Sequence, residues 1–478
     1  MNLSALEIGK RALLAQKFGL DVTSNNIANV NTPGYSRRVA IMSETSPLKI
    51  NNHQIGTGVI ADKIQSFRQE YYDREVRNSN SRLSSYTNDT NFLQRVETIF
   101  SEPSDLNIGT MVENLLNSFD ELSFKPENIT LRQYAVLQAE SLSERINQTA
   151  NGLSDLRNEA YKNTATFTES INDLLKEIAA LNNDILKSGN ISSGESLTLI
   201  DERENKLEEL SKIVDIKVGN NDDGSVNIFV NGINLLTSSS YSTVKINETT
   251  NNTGERTLSI VKFDEDKGTT IELQPQSGEV SSNLKMFNIT LDDLDTSNSF
   301  SIAKQLNSFV NNLANEINNY LSLGFGLNDT GTAAPGRVLF ESGGGAINAF
   351  NIRVNQSLKE NPADLPIAGI ANEPGNAEIA SLIGKISSDT GFLNNQTPSE
   401  FYNNLVGKIG TITKEALNGQ QAAKLLGDQM LSQRDSVMGV SLDEEAVNLI
   451  KYQKAFEASS RIVSTTNELL GTLVNLGR

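Results

Sequence analysis

Cysteine and tryptophan are absent from this 478-residue chain, and histidine occurs only once, at His53. Without cysteine the chain can form no disulfide, no zinc–thiolate site and no thiol nucleophile. His53 has no second histidine to join it in a metal site or a nucleophile arrangement, so we interpret it as part of a polar loop or hairpin. The composition therefore excludes several common metal and covalent chemistries.

Basic charge and long apolar runs are also scarce. Lys and Arg total 41 against 59 Asp and Glu, which gives a net charge of −18. An acidic chain repels nucleic acid and anionic membranes, so we expect neither as a partner. No run of about 18 apolar residues is present to span a membrane. Charged residues interrupt residues 1–20, so we expect no cleaved signal peptide; the chain is either cytosolic or exported by another route.

The polar clusters of the sequence do not form a catalytic pattern. Residues 199–205 (LIDEREN) and 441–445 (SLDEE) place carboxylates on helices, and we interpret them as solvated helix faces. Residues 220–225 (NNDDGS) lack the distal Glu of a calcium loop and are typical of a hairpin turn. We therefore expect no catalytic, cofactor-binding or metal site and no cofactor, and we predict that the protein is not an enzyme.

Both ends of the chain carry a heptad pattern, typical of helices that pack on other helices. The N-terminal stripe is Leu6, Leu13, Leu20 and Ile27, and the C-terminal stripe is Leu442, Leu449, Phe456, Val463 and Leu470, with Tyr452 on the neighbouring seam. Pro33-Gly34 ends the first helix, and Ser441 with Glu444 predicts a capping box for the second. An ordinary core-facing helix is the alternative interpretation for the N-terminal stripe. These stripes must pair with each other, with other subunits, or with both.

Helical patterns dominate the region between the two ends. We predict helices over 62–100, 109–123, 129–186, 281–321 and 376–438, the last broken near Thr397-Pro398, and a β domain over 214–273 with short strands at 337–340 and 350–354. The predicted fold is mainly α with an inserted β domain, in an elongated subunit whose nested domains use both chain halves. A string of separate domains is the alternative, but no Pro/Ser-rich linker is present.

This order predicts three regions. They are the terminal axial helices (1–60 and 440–478), a helical rod domain (61–210, 281–325 and 375–439) and an outer β domain (211–280 and 326–374).

Residues 24–38, SNNIANVNTPGYSRR, resemble the N-terminal segment of bacterial flagellar axial proteins, the rod, hook and hook-associated subunits. The matching residues are Asn25, Asn26, Ala28, Asn29, Asn31, Thr32, Pro33, Gly34 and Tyr35. Residues 441–476 are similar to the closing helix of that family. Ser36-Arg37-Arg38 after TPGY is similar to the hook-associated branch of FlgK type rather than to hook or rod subunits.

This resemblance implies a structural subunit at the hook–filament junction that polymerises through its terminal helices. The implied subunit-interface residues are Leu6, Leu13, Leu20, Asn25, Asn26, Ile27, Asn29, Pro33, Gly34, Tyr35, Leu442, Leu449, Tyr452, Phe456, Val463 and Leu470. The implied partners are the hook protein, the next junction protein, further copies of the chain and an export chaperone. The implied location is the extracellular flagellum, reached by export without a cleaved signal. Another axial subunit (hook or rod) and a secreted helical adhesin remain as alternatives.

Overall fold

The computed structural model describes residues 2–50, 53–100, 107–250, 256–265, 268–292 and 300–476. In chain order the α-helices are α1 (Asn2–Ala28), α2 (Glu70–Phe100), α3 (Ile108–Phe124), α4 (Ile129–Ser188), α5 (Gly194–Ile213), α6 (Glu279–Lys285), α7 (Ile302–Ser322), α8 (Gln356–Glu360), α9 (Glu378–Lys385), α10 (Pro398–Met438) and α11 (Leu442–Leu476). In these described ranges no helix is long and apolar enough to cross a membrane.

Small antiparallel sheets accompany the helices. The strands are β1 (Arg38–Glu44), β2 (Leu48–Ile50), β3 (His53–Ile55), β4 (Val59–Ser66), β5 (Lys217–Asn220), β6 (Val226–Val230), β7 (Ile233–Thr237), β8 (Ser240–Tyr241), β9 (Thr243–Thr250), β10 (Arg256–Asp264), β11 (Thr269–Leu273), β12 (Phe340–Glu341) and β13 (Arg353–Val354). The sheets have the orders β1-β4, β2-β3, β5-β6-β7-β8, β11-β10-β9 and β12-β13. The predicted class, mainly α with an inserted β domain, is confirmed.

The two ends of the chain form one part of the molecule, which we call the terminal unit: the described residues from α1 to β4, including the turn between α1 and β1, together with α11. Gly9 of α1 lies against Val463 of α11, and Gly19 lies against Tyr452, so the two helices are antiparallel. The β1–β4 pair packs beside α1. The described residues from α2 to α10 are called the body.

The body attaches to the terminal unit through two neighbouring connections. Residues 67–69 lead from β4 to α2, and residues 439–441 lead from α10 to α11. The helices α2 and α10 run antiparallel side by side: Ser79 donates a hydrogen bond to the carbonyl of Ala423 at 3.4 Å, and Gln420 donates to Thr87 at 3.0 Å. Both connections therefore leave the same end of the α2–α10 pair.

Two apolar clusters hold the body together. The first joins α2, α3, α4, α7, α9 and α10, and its aromatic centre includes Phe309, whose ring stacks on Phe401 with the centroids 5.9 Å apart. The second joins the C-terminal part of α4 to α5 and to the two sheets formed by β5 to β11. Because α4 contributes to both clusters, it is the common axis of the body. The predicted β domain over 214–273 is observed, with a turn at Asn231-Gly232 where both residues have positive φ.

Residues 62–66, predicted as the start of a helix, form the end of β4. This strand pairs with β1 from Val59 opposite Glu44 to Ser66 opposite Arg38, and α2 begins only at Glu70. The strand as a whole contains the β-branched residues Val59, Ile60 and Ile64, which favour a strand that packs on a neighbour. The predicted helix boundary was therefore wrong by about two turns.

Residues 281–321, predicted as one helix, are divided. After α6 a π-helical turn spans Met286–Thr290, and α7 begins after Ser301, whose hydroxyl accepts a hydrogen bond from the backbone N–H of Lys304. Asn288, inside the π-helical turn, bonds both the N–H and the carbonyl of Leu258 on β10 through its side chain, at 2.8 and 2.7 Å. These bonds tie the turn to the sheet.

Residues 326–374 pack differently from the grouping expected from the sequence. Their buried apolar side chains belong to the first cluster, not to the sheets of the second. Asn318 on α7 donates to the carbonyl of Phe340 at 2.8 Å, and the buried Arg132 on α4 donates to the carbonyl of Leu365 at 2.6 Å. These bonds tie the segment to the helical bundle, so the structure places it with the helices rather than with the outer β domain.

Candidate assembly site: the terminal helix pair and its polar joint

Small residues allow α1 and α11 to pack closely. A Cβ atom added to Gly9 would lie 2.6 Å from Val463 Cγ2, and one added to Gly19 would lie 2.6 Å from Tyr452 Cε1. Both distances are far below van der Waals contact, so the two glycines admit larger side chains from α11. Ala15, which is 1% exposed, continues the same small-residue face of α1.

The predicted heptad residues lie mostly within this helix pair. The half-buried members are Leu6, Leu13, Leu20, Ile27, Leu449, Tyr452, Val463 and Leu470, whereas Leu442 and Phe456 are exposed. Tyr452 and Val463 fill the spaces above the two glycines. The stripes therefore satisfy one another in part inside a single chain, which leaves their role between subunits as a proposal.

A second group of apolar side chains, whose four members on α11 the heptad analysis missed, is open to solvent. Leu14 on α1 is 59% exposed, and the α11 members Val447, Ile450, Ile462 and Leu469 are between 54% and 66% exposed. We call these five residues the outer apolar surface. The spacings 447–450 and 462–469 are helical repeats and could have revealed it, but the stronger heptad stripe lies beside it in the same sequence.

The N-terminal motif (residues 25–38) places Asn26 where the two terminal helices meet the first strand. Its Nδ2 group donates to the carbonyl of Arg38 at 2.7 Å and to Glu445 Oε2 at 3.0 Å. Its Oδ1 atom accepts from the N–H of Arg38 at 3.1 Å and from the Tyr35 hydroxyl at 2.8 Å. Asn26 is 1% exposed, and both ends of its amide are fully used.

Arg37 ties the motif to α11 and to both connections. Its guanidinium pairs with Glu445 at 2.9 Å and with Glu444 at 2.7 Å. Its backbone N–H donates to the carbonyl of Met438 at 2.8 Å, and its carbonyl accepts from the N–H of Phe67 at 2.9 Å. Arg37 therefore lies directly between the connection that leaves β4 and the one that enters α11.

Arg38 and Arg68 tie the motif to the body through one carboxylate. Asp201 on α5 accepts from Arg38 Nη2 at 2.7 Å through Oδ2 and from Arg68 Nη2 at 3.0 Å through Oδ1. Arg68 also pairs with Asp73 on α2 at 3.1 Å and donates to the carbonyl of Gly34 at 2.7 Å. We call Asn26, Arg37, Arg38, Arg68, Asp73, Asp201 and Glu445 the polar joint.

Burial and charge set the protonation of the joint. Burial raises the pKa of the Tyr35 hydroxyl to about 12, while the nearby Arg38 opposes this increase. Burial alone would lower the pKa of Arg68, but the carboxylates of Asp73, Glu204 and Asp201 together raise it. Near neutral pH Tyr35 therefore keeps its proton to donate to Asn26, and Arg68 keeps its charge.

Of the six carboxylates interpreted from the sequence as solvated faces, Glu202, Asp443 and Glu444 are exposed as expected, but the other three are buried, so for these three the interpretation was wrong. Asp201 is 8% exposed, Glu204 is 7% exposed and Glu445 is 1% exposed. Glu204 pairs with Arg77 at 2.8 Å and with Arg203 at 3.4 Å. Buried charges are tolerated when they are paired and hydrogen-bonded, and distant arginines supply the partners.

The exposed part of the motif borders a cavity of about 430 Å³. Asn31, Thr32 and Pro33 are exposed at its rim, and Asn205 of α5 donates to the carbonyl of Pro33 at 3.3 Å. Gly34 has φ of +74°, and a Cβ atom there would lie 1.9 Å from Asn205 Oδ1. The turn therefore needs glycine both for its backbone conformation and for space.

The described residues offer little for metal or imidazole chemistry. Across the ranges that the structure describes, no group of three or more His, Asp and Glu side chains is placed to hold a metal ion. His53 begins β3, within the hairpin that the sequence suggested. What this region offers is apolar surface and a network of charged hydrogen bonds.

Comparison with protein families agrees with this arrangement. The model described as "Flagellar hook-associated protein FlgK helical domain" matches residues 93–340, just over half of the chain. The chain belongs to the FlgK family of flagellar hook-associated proteins. Models of "Flagella basal body rod protein" and "Flagellar basal body rod FlgEFG protein C-terminal" match residues 6–35 and 431–476. These two matches fall on α1 with the motif and on the end of α10 with α11.

Curated relatives are similar over almost their whole length. The chain is 26% identical to flagellar hook-associated protein 1 of Bacillus subtilis (strain 168), with 98% of this chain and 97% of the relative covered. It is 22% identical to the proteins of the same name from Salmonella typhimurium and Escherichia coli (strain K12), with 97% of this chain and 98% of each relative covered. Membership of this family places the chain in the bacterial flagellum, among other flagellar components.

A solved structure shares the fold. The flagellar hook junction protein FlgK from Burkholderia pseudomallei superposes with a TM-score of 0.64 at 12% identity. The match covers 76% of this chain and all of that one. The similarity supports a mainly helical fold with an inserted β domain.

Proposed function

We propose that this chain is a structural subunit of the junction between the hook and the filament of the bacterial flagellum, and that it polymerises through its terminal unit. The observation that carries this proposal is the outer apolar surface. A helix pair that leaves five large apolar side chains open to water gains stability when further protein covers them. Copies of the same chain and neighbouring axial subunits present helices suited to this contact.

The form of the contact follows from the helix pair. Because α1 and α11 already cover part of each other's heptad stripes, contact between subunits uses the opposite faces. A face that packs on a different face of the next copy makes a heterologous contact, which extends as a helix or ring rather than closing as a dimer. The predicted interface residues of the motif and the heptads then have two roles. They hold α1 and α11 together, and those that are exposed contact the neighbouring subunits.

The partners proposed for the assembled subunit are the hook protein on one side and the next junction protein on the other. Before assembly, an export chaperone would cover the apolar side chains of α11, and the chain would leave the cell without a cleaved signal peptide. The two sheets of β5 to β11 would then face outward from the axis. This outer β domain is where we expect variation between relatives.

We propose a structural role without enzymatic activity or a cofactor. Asp201, Glu204 and Glu445 are buried carboxylates, which elsewhere are candidates for acid–base catalysis. Here each is bound to an arginine or an asparagine at 2.7–3.0 Å, so its charge is committed to holding elements together.

The test is deletion of the coding sequence in its source cell, followed by electron microscopy and an assay for flagellin in the medium. We expect hooks without filaments and flagellin lost to the medium, with both reversed by the intact sequence on a plasmid. Loss of the hook itself would instead indicate a rod or hook subunit. Intact, motile flagella would contradict the proposal and favour the adhesin.

A further inference from the structure

The apolar clusters of the body do not extend into the described residues of the terminal unit, and the polar joint links the two parts. The first apolar cluster is formed by side chains between Phe92 and Ala416, and the second by side chains between Ile171 and Val280. Neither cluster includes a described residue of α1, β1 to β4 or α11. Ion pairs and hydrogen bonds of the polar joint therefore carry much of the link, and water can replace such contacts more readily than it can fill an opened apolar core.

The two covalent connections lie close together at Arg37. Its N–H bonds Met438, the last residue of α10, and its carbonyl accepts from Phe67, the first residue after β4. Two adjacent connections fix the position of the terminal unit at the end of the α2–α10 pair. They do not by themselves fix its rotation about the line that passes through them.

Asp201 supplies a contact away from that line. It lies on α5, which is anchored in the second cluster by Leu207 and Leu210. One carboxylate oxygen binds Arg38 at the start of β1, and the other binds Arg68 in the connection to α2. The same carboxylate therefore spans the terminal unit, the connection and the body.

We propose that Asp201 is a positioning residue that fixes the angle between the terminal unit and the body, and that loss of its bridge releases this angle without unfolding either part. Without Asp201, two guanidinium groups would stay buried with one fewer anion, which strongly favours opening of the contact to water. The inference rests on the proposed function in one respect, because a subunit between two lattices must hold its axial and outer parts at a defined angle.

The measurement is the distance between two spin labels by pulsed electron paramagnetic resonance on the full-length chain. The absence of cysteine allows clean labelling at two exposed sites, Ser460→Cys on α11 and Lys212→Cys at the end of α5. Asp201→Asn removes the shared negative charge, and Arg38→Gln removes the ion pair between β1 and α5 together with the bonds of Arg38 to Gly194 and Thr198. Glu202→Gln is the matched control, since it removes the same charge from the next, exposed residue of α5.

We expect one narrow distance in the parent, in Glu202→Gln and in the conservative variant Asp201→Glu. In Asp201→Asn and Arg38→Gln we expect this narrow distance to be lost to a broad or displaced distribution, while the melting temperature of the body is unchanged. A broad distribution in the parent, or a parent-like narrow one in Asp201→Asn, would overturn the positioning role. So would a melting temperature that falls together with the change in distance, because Asp201 would then act on general stability.

The outcome can be separated from that of the deletion experiment. If the distance changes in Asp201→Asn but the parent chain does not restore filaments to deleted cells, the proposed function alone is contradicted. If the parent chain restores filaments but Asp201→Asn keeps the narrow distance of the parent, the positioning role alone is contradicted.

Discussion

The neutral amide of Asn26 donates two hydrogen bonds, which a carboxylate of the same shape could not donate. Its two donated bonds reach a carbonyl and the buried Glu445, neither of which can donate in return. In Asn26→Asp both acceptors face a negative charge with no donor between them. We expect α1 to lose about 1–3 kcal/mol of stability, or more because the group is charged, measured by hydrogen exchange of the α1 amides.

The neighbouring substitution Asn25→Asp is the control. Asn25 is exposed, and its side chain acts through Oδ1, which accepts from Asn29 at 3.0 Å and from Tyr35 at 3.2 Å. Asp keeps that acceptor, so we expect a change within about 0.5 kcal/mol. Equal losses in the two variants would show that the Asn26 network does not carry the stability assigned to it.

Gly34 gives a second prediction for single residues. Alanine at this position must hold φ near +74° and would place its Cβ 1.9 Å from Asn205 Oδ1. Backbone strain alone costs about 1–3 kcal/mol, and the displaced Asn205 would lose its bond to Pro33. We therefore expect Gly34→Ala to lower the melting temperature of the terminal unit, followed by circular dichroism.

Gly56→Ala provides the comparison for Gly34. A Cβ atom at Gly56 meets nothing within 4 Å, and its φ does not lie in the left-handed region. Its substitution should be neutral or slightly stabilising. If Gly34→Ala changed the melting temperature equally little, the turn would be able to relax. The close contact with Asn205 would then not require glycine at this position.

The sequence identified the important residues of the joint only in part. Asn26, Tyr35 and Gly34 were found through a recognisable local segment. Asp201 was misinterpreted because its partner Arg38 lies 163 residues away, and Glu445 lies 419 residues from Asn26. Periodicity predicts which residues share a face of one element. It does not predict the burial of a charged residue, because that depends on a partner that is distant in the sequence.

At the scale of elements, the α1–α11 pair depends on small residues in α1. In a free helix Gly19→Ala would gain up to about 1 kcal/mol of helix propensity. In the pair, the new Cβ would lie 2.6 Å from the ring of Tyr452, which must move away from α1. We expect displacement of this ring to outweigh the gain in propensity, so that Gly19→Ala reduces the hydrogen-exchange protection of both helices.

Gly471→Ala tests the propensity alone. This glycine lies on α11 of the same pair, and a Cβ atom there meets nothing within 4 Å. We expect protection to stay equal or to rise. Increased protection in Gly19→Ala would mean that α1 and α11 do not pack as closely as the structure shows.

Continuous elements were predicted best. The helical repeat of 129–186 is unbroken, and α4 spans Ile129–Ser188 almost as expected. Residues 62–66 were misassigned because Ile64 fits both the helical and the strand period, and only pairing with β1 decides between them. The π-helical turn after α6 is likewise bonded, through Asn288, to a strand thirty residues earlier. Local pattern predicts an element, but a distant partner decides where it ends.

For the whole molecule, the division into two parts explains how the terminal unit can provide the contacts for assembly while the body folds independently of them. The body has its own apolar clusters and needs no contribution from the terminal unit to form them. The terminal unit instead leaves apolar side chains open on the side of α11 that α1 does not cover. A change on this surface should therefore affect assembly without affecting folding.

The last prediction tests this separation. Val447→Ser with Ile450→Ser removes two side chains that are 66% and 57% exposed, so the melting temperature should stay within about 1 °C of the parent. Introduced into cells that lack the parent gene, the double variant should be exported but should restore few or no filaments. The control is Ile271→Ser on β11, a 48% exposed residue of the outer β domain, which should restore filaments fully. Normal filaments with the double variant would move the assembly contact away from α11, and equal loss with Ile271→Ser would extend it to the outer sheets.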